Sequence, residues 1–239
     1  MNCTTIFPKV GIIGGAGPMA GILLFQKIVQ IAQDRYGCCS DADFPYVMLV
    51  NYPFADMLQQ DSRQKKLLQK QLEDCFFKFK ANEISIAAIA CNTLHEFLDS
   101  KLFPDNIAFV HMIQETGCFL RENGLHESII LCTDTSAQCK LHKKYFNCSY
   151  PEKIFQGYIQ DLIYRIMKGE YSEEDSKMLA SALNSLSSEK VSLVLGCTEL
   201  SVFNDEFPLK MHGLNENYLI VDPNLIVAEK ICSLIFNNR

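Results

Sequence analysis

Ser85-Ile86-Ala87-Ala88-Ile89-Ala90-Cys91-Asn92-Thr93 is a short apolar run closed by a thiol, an amide and a hydroxyl. It is too short for a typical helix and does not alternate, so it reads as a strand buried on both faces, as in a parallel sheet. A second stretch, Leu193-Val194-Leu195-Gly196-Cys197-Thr198-Glu199, has the same design. Open α/β sheets bind ligands beyond the C-terminal ends of their strands, where both thiols would stand. Singly, a cysteine in such a setting is more readily a small core residue. A matched pair suggests an acid and a base.

Working outward, strand-like runs alternate with helical periodicity along the whole chain. The strands are Val10–Ile13, Tyr46–Val50, Ser85–Ala90, Ala108–His111, Ser128–Leu131, Leu193–Leu195 and Tyr218–Val221. Spacing near 3.6 residues predicts helices over Ala20–Arg35, Leu58–Ala81, Ile113–Glu122, Gln156–Met167 and Glu173–Leu186. Asp222-Pro223 supplies a cap and a proline at the first helical position, starting a last helix to about Phe236. This alternation predicts an α/β fold with mostly parallel sheets and helices on both faces. The element order repeats, with Ile13-Gly14-Gly15 answered by Leu131-Cys132-Thr133 and Cys91 by Cys197. The expectation is two pseudo-symmetric α/β domains, residues 1–109 plus 214–239 and residues 110–213, with the active site in the cleft between them. Polar segments at Phe103–Asn106 and Met211–Asn217 are the expected crossings.

The 239 residues suffice for a sizeable core, and a net charge of −6 offers no basic field for nucleic acid. Eleven cysteines without a Cys-x-x-Cys pair indicate reduced thiols in a cytoplasmic protein, with no metal site. No segment approaches the roughly 20 apolar residues that span a bilayer. The uncharged run Val10–Phe25 behind Lys9 is broken by Gly14, Gly15, Gly17 and Pro18, unlike a signal peptide. That glycine turn follows a strand and opens a helix, so its backbone N–H groups suit an anion. Gly15-Ala16-Gly17-Pro18-Met19-Ala20 also matches a dinucleotide loop, but Asp34 falls inside a helix and the second strand runs out near Asn51. His95, four residues after Cys91, either assists the thiolate or caps the turn.

Ala90-Cys91-Asn92-Thr93-Leu94-His95 and Leu195-Gly196-Cys197-Thr198-Glu199-Leu200 resemble the two signature motifs of the aspartate/glutamate racemase family, the aspartate racemase branch in particular. Gly14–Pro18 and Phe109-Val110-His111 resemble that branch as well. The resemblance implies a cofactor-independent racemase, usually a homodimer, acting on a small molecule, an amino acid with an acidic side chain. Cys91 and Cys197 would take and return the Cα proton on opposite faces. Gly15, Gly17, Asn51, Asn92, Thr93, Thr133, Thr135, Thr198 and Lys168 form the expected substrate-binding set. Tyr164 and Lys168 resemble a tyrosine–lysine pair near the substrate, although Lys168 before Gly169 also suits a solvated helix end. Departures are also visible. Ala55-Asp56-Met57 stands where acidic-substrate members carry Pro-Asp-Arg, Thr133-Asp134-Thr135 replaces a longer Thr-x-Gly-Thr, and Ala16 and Gly21 replace larger residues. Other readings are a related isomerase or decarboxylase acting on a dicarboxylate or hydantoin, and a non-catalytic amino-acid sensor.

Overall fold

A computed structural model describes residues 7–55, 57, 62–99, 106–186 and 190–237. The chain divides into two compact units. Met1–Ala90, Phe97–Met112 and Asn224–Arg239 form the first, and Cys91–Glu96 with Ile113–Pro223 the second.

The first unit carries β1 (Val10–Gly14), α1 (Pro18–Tyr36), β2 (Val47–Asn51), α2 (Ser62–Ala81), β3 (Ile86–Ile89) and β4 (Ala108–Val110). Its four strands are all parallel, in the order β2-β1-β3-β4, with Val10 opposite both Val47 and Ile86. Val10, Ile12, Ala88 and Val110 face one core together with Leu24 and Ile28 of α1. The last helix of the chain (Pro223–Phe236) adds Val227 and Ile231 to the same core. On the other face, the ring of Phe79 in α2 lies 2.7 Å from where a side chain on Gly11 would begin, so this approach requires glycine.

The second unit carries α3 (Met112–Glu122, all but its first residue), β5 (Ser128–Leu131), α4 (Asp134–Gln138), α5 (Lys153–Lys168), α6 (Glu173–Asn184), β6 (Val191–Leu195), α7 (Thr198–Glu206) and β7 (Tyr218–Val221). The C-terminal helix is then α8. The strands form a parallel sheet in the order β5-β6-β7. Leu131, Leu193 and Leu195 pack with Ile159, Leu162 and Ile163 of α5, Leu179 of α6, and Leu200 and Phe203 of α7.

Every strand read from the sequence is present, with ends moved by at most two residues. The expected division gave β7 to the first domain, and here the structure differs. Tyr218 is buried in the second core and donates its hydroxyl to the Leu183 carbonyl, while β7 pairs in parallel with β6. Only after Pro223 does the chain join the first unit. Residues 91–96 also belong to the second unit, because Thr93 bonds to Thr133 and Ser136 and Glu96 pairs with Lys144. Residues 58–61, where the second helix was expected to start, lie outside the described residues, as do Asp56 and the crossing at 103–105. Among the described residues, no helix is long and apolar enough to cross a membrane.

Candidate active site

Cys197 stands one residue beyond β6 and is the N-cap residue of α7, with Thr198 and Glu199 opening the helix. Gly196 before it admits no side chain. A Cβ there would lie 2.5 Å from Ile130 Cγ2, 3.1 Å from His142 Nε2 and 3.2 Å from Cys132 Cβ. The glycine therefore lets β6 pass close to β5 and to the buried imidazole of His142, and this fixes the backbone that aims Cys197.

Cys91 follows β3 in the chain and precedes a 3-10 turn, Thr93–Phe97. His95 closes this turn. Its Nδ1 donates to the Cys91 carbonyl at 2.8 Å, and its backbone N–H donates to the Asn92 carbonyl. Of the two roles read for His95, the geometry gives it the capping one at this nitrogen. The two thiols are enclosed, at 6% and 5% exposure.

Glu199 is the residue that sequence reasoning left without a role. It sits in the first turn of α7, where a carboxylate complements the helix dipole, a reason for acid there that needs no burial. Yet it is 7% exposed, and the Cys197 thiol donates to its Oε2 at 2.9 Å. Burial pushes its carboxyl above the usual range, against hydrogen bonds from Cys197, its own backbone N–H and Thr198. The thiols respond in turn. Burial, and then the nearby Glu199 charge, push Cys91 up to about 12, opposed by the backbone N–H groups of Leu94 and Thr93. Burial raises Cys197 well above an ordinary thiol, and Glu199 and then Cys91 add to the rise. No lysine or arginine is among the groups shifting these three residues. Among the described residues, the charged group acting on both thiols is therefore the Glu199 carboxylate, to which Cys197 is bonded.

Around the thiols lie polar groups held for contact. Thr93 Oγ1 is 3.2 Å from Thr133 Oγ1 and 3.1 Å from Ser136 Oγ, and Thr133 donates to Ser136 at 3.2 Å, a closed ring of three hydroxyls. Thr133 is also the N-cap of α4, accepting from the Ser136 N–H. The Asn92 side chain is buried with neither its oxygen nor its nitrogen bonded, which costs about 1–3 kcal/mol per group unless a ligand uses them. The loop after β5 is held from behind by two glutamines of α5. The Asp134 N–H donates to Gln160 Oε1 at 2.7 Å, and Gln156 Nε2 donates to the Cys132 carbonyl at 2.8 Å and to Asp134 Oδ1 at 3.0 Å.

The second unit thus contains Cys91, Asn92, Thr93, Thr133, Thr135, Cys197 and Thr198 of the expected set. Gly15, Gly17 and Asn51 belong to the first unit. There Gly15 has φ 97° and faces the backbone of Tyr52, whose oxygen would lie 2.0 Å from an added Cβ. The glycine is therefore required by chain packing, whatever else its amide does. Gly17, at φ 69°, opens α1 without a side-chain cap, and Asn51 ends β2 opposite Gly14. Lys168 is exposed at the last residue of α5, before Gly169 at φ 74°. Among the described residues, no hydrogen bond or ion pair joins Lys168 to the thiol cluster, and no group of three His, Cys, Asp or Glu is placed to hold a metal ion.

Known proteins resemble this chain over most of its length. The sequence model of a family described as Asp/Glu/Hydantoin racemase matches residues 13–231. The chain is similar to the broad specificity amino-acid racemase RacX of Bacillus subtilis (strain 168), with 21% identity over 206 residues, covering 82% of this chain and 87% of that protein. Among solved structures it resembles an aspartate racemase homologue from Pyrococcus horikoshii OT3, with a TM-score of 0.70 and 20% identity over 95% of this chain and 98% of the other. The Picrophilus torridus aspartate racemase gives a TM-score of 0.70 and 20% identity over 93% and 92%. At these identities the structural likeness establishes the fold.

Proposed function

Because the chain belongs to the Asp/Glu/hydantoin racemase family, we propose that it racemises a free amino acid by two-thiol proton transfer without a cofactor. The observation that carries this reading is the enclosure of Cys91 and Cys197 in one cluster, with the Cys197 thiol bonded to Glu199. Inversion at Cα needs a base and an acid on opposite faces of one carbon. Cys197 passes its proton to Glu199 and becomes the thiolate that removes the Cα proton from one enantiomer. The carbanion's charge spreads into the substrate carboxylate, and the Cys91 thiol returns a proton to the other face, leaving Cys91 as thiolate. The reverse reaction starts from that state, so each thiol is a base in one direction and an acid in the other.

An enediolate-like transition state requires fixed donors aimed at its oxygens. Asn92, with its amide nitrogen unbonded, and the hydroxyls of Thr93, Thr133 and Thr198 are the proposed donors. The division of thiol stabilisation is uneven. Cys91 receives two backbone N–H groups from its 3-10 turn, whereas Cys197 has a carboxylate that can take its proton. The acidic side chain implied by the sequence resemblance is not part of this reading, since among the described residues no lysine or arginine is among the groups that shift the two thiols.

Incubating the protein with single enantiomers in deuterated water tests the proposal. Deuterium should enter at Cα as optical rotation decays. Absence of exchange with every proteinogenic amino acid would refute the racemase reading.

A further inference from the structure

Resting on the racemase reading, we infer that Ser136 is a positioning residue, whose hydroxyl holds Thr93 in place beside Cys91 during proton transfer. Ser136 lies in α4 and is 0% exposed. A hydroxyl at an enclosed position costs free energy unless it is bonded, and alanine would suit the helix better. A helical serine ordinarily turns back to a carbonyl of the preceding turn. Here the Cys132 carbonyl already accepts from Gln156 Nε2, and the Thr133 carbonyl from the Ala137 N–H. Ser136 Oγ lies instead 3.1 Å from Thr93 Oγ1, 43 residues away in the chain.

Proton accounting gives the hydroxyl ring a direction. Thr133 donates its O–H to Ser136 and accepts the Ser136 N–H, so its single hydroxyl proton is committed. The 3.2 Å contact between Thr93 and Thr133 therefore takes the Thr93 proton, and the Ser136 proton goes to Thr93. Ser136 is thus bonded to both threonines, by its O–H to one and by its N–H to the other. When Thr93 turns its proton to a substrate oxygen, the bond donated by Ser136 remains and holds the side chain. That bond also polarises the Thr93 hydroxyl and makes it a stronger donor.

Thr93 has a second task, because its backbone N–H is one of two that bond to the Cys91 sulfur. Further along the same turn, Glu96 is held by Lys144. At the Thr93 end, the side-chain bonds are those to Thr133 and Ser136. Ser136 has little freedom itself, since its N–H is bound by the helix cap and its carbonyl accepts from the Leu141 N–H at 3.0 Å.

The experiment measures kcat and KM for Cα deuterium exchange with the unaltered protein, Ser136→Ala, Ser136→Cys, Thr93→Val and the Ser136→Ala, Thr93→Val double variant, each checked for folding by circular dichroism. The substrate is the proteinogenic amino acid that the unaltered protein exchanges fastest. Ser136→Ala should lower kcat about tenfold, the worth of one hydrogen bond, with KM within about twofold, because the bond counts most where the enediolate forms. Ser136→Cys, with a weaker donor in the same place, should fall between. Beside Thr93→Val, the change to alanine should cost less than about twofold, since the hydroxyl it acts through is gone. Unchanged kcat in folded Ser136→Ala would overturn the inference, as would an equal loss with and without the Thr93 hydroxyl. Alkylation by iodoacetamide at pH 9, resolved by mass spectrometry, reads the thiols without turnover. Ser136→Ala should slow Cys91 relative to Cys197 by about threefold or more, and an equal change at both would overturn the inference. Exchange of no amino acid by the unaltered protein would overturn the racemase reading and this inference with it.

Discussion

Glu199→Gln separates two opposite consequences of one contact. The carboxylate raises both thiols through its charge, so its removal could free them to ionise. It also accepts the Cys197 proton at 2.9 Å, so its removal takes away a base. The shared proton decides between them. Repulsion acts only when carboxylate and thiolate are both charged, and a pair holding one proton between them never reaches that state. Without the carboxylate, Cys197 must lose its proton to solvent from a site where burial alone is the first cause of its rise. For scale, a thiol pushed to about 12, as Cys91 is, would be ionised in about one molecule in 10⁵ at pH 7. Loss of a positioned general base typically costs 10²–10⁴-fold, or about 3–5 kcal/mol of barrier. Glu199→Gln is therefore expected to slow Cα exchange by about that factor for the enantiomer that Cys197 deprotonates. Its rate should climb with pH as the thiol begins to titrate. Exchange of each enantiomer, followed separately by NMR in deuterated water from pH 6 to 10, reads both effects. Activity that rises at pH 7, or that is unchanged for both enantiomers, would refute the reasoning.

Two further outcomes follow from the packing around the thiols. Gly196→Ala forces a Cβ to within 2.5 Å of the fully buried Ile130, so stability should fall by about 1–3 kcal/mol in urea unfolding, with loss of activity as Cys197 shifts. His142, 1% exposed, has its imidazole pushed down to about 4 by burial. Between about pH 6.5 and 4 the unfolded chain takes this proton and the folded one does not, so stability is lost as pH falls through that window, by roughly 3 kcal/mol. His142→Gln should lose less on acidification from pH 7 to 4.5 than the unaltered protein, and an identical loss in both would contradict the burial argument.

Much of this was legible in the chain. The unbroken apolar runs before Cys91 and Cys197 read as doubly buried strands, and both are fully buried in parallel sheets. The periodic helices were equally plain, because α1, α2 and α5 each bury one side against a sheet or its neighbours. The pairing of β7 was not, because Tyr218 reads as an ordinary strand residue and its burial against Leu183 is a tertiary fact. Nor was the origin of Gly15 visible. A glycine turn before a helix suggests an anion site, while the backbone of Tyr52, distant in sequence, supplies the steric reason. Glu199 was hidden for a related cause. At the start of a helix an acid is expected on the dipole alone, and only its enclosure against the Cys197 thiol distinguishes it. Asp134 stood out as a departure, but its fixing by Gln156 and Gln160 depends on how α5 packs behind β5.

The paired thiols are tested most directly by Cys91→Ser and Cys197→Ser, each assayed for racemisation of a substrate found by deuterium exchange. Since each face of Cα needs its own thiol, the account predicts that each variant loses racemisation while remaining folded by circular dichroism. Full racemisation by either folded variant would contradict it.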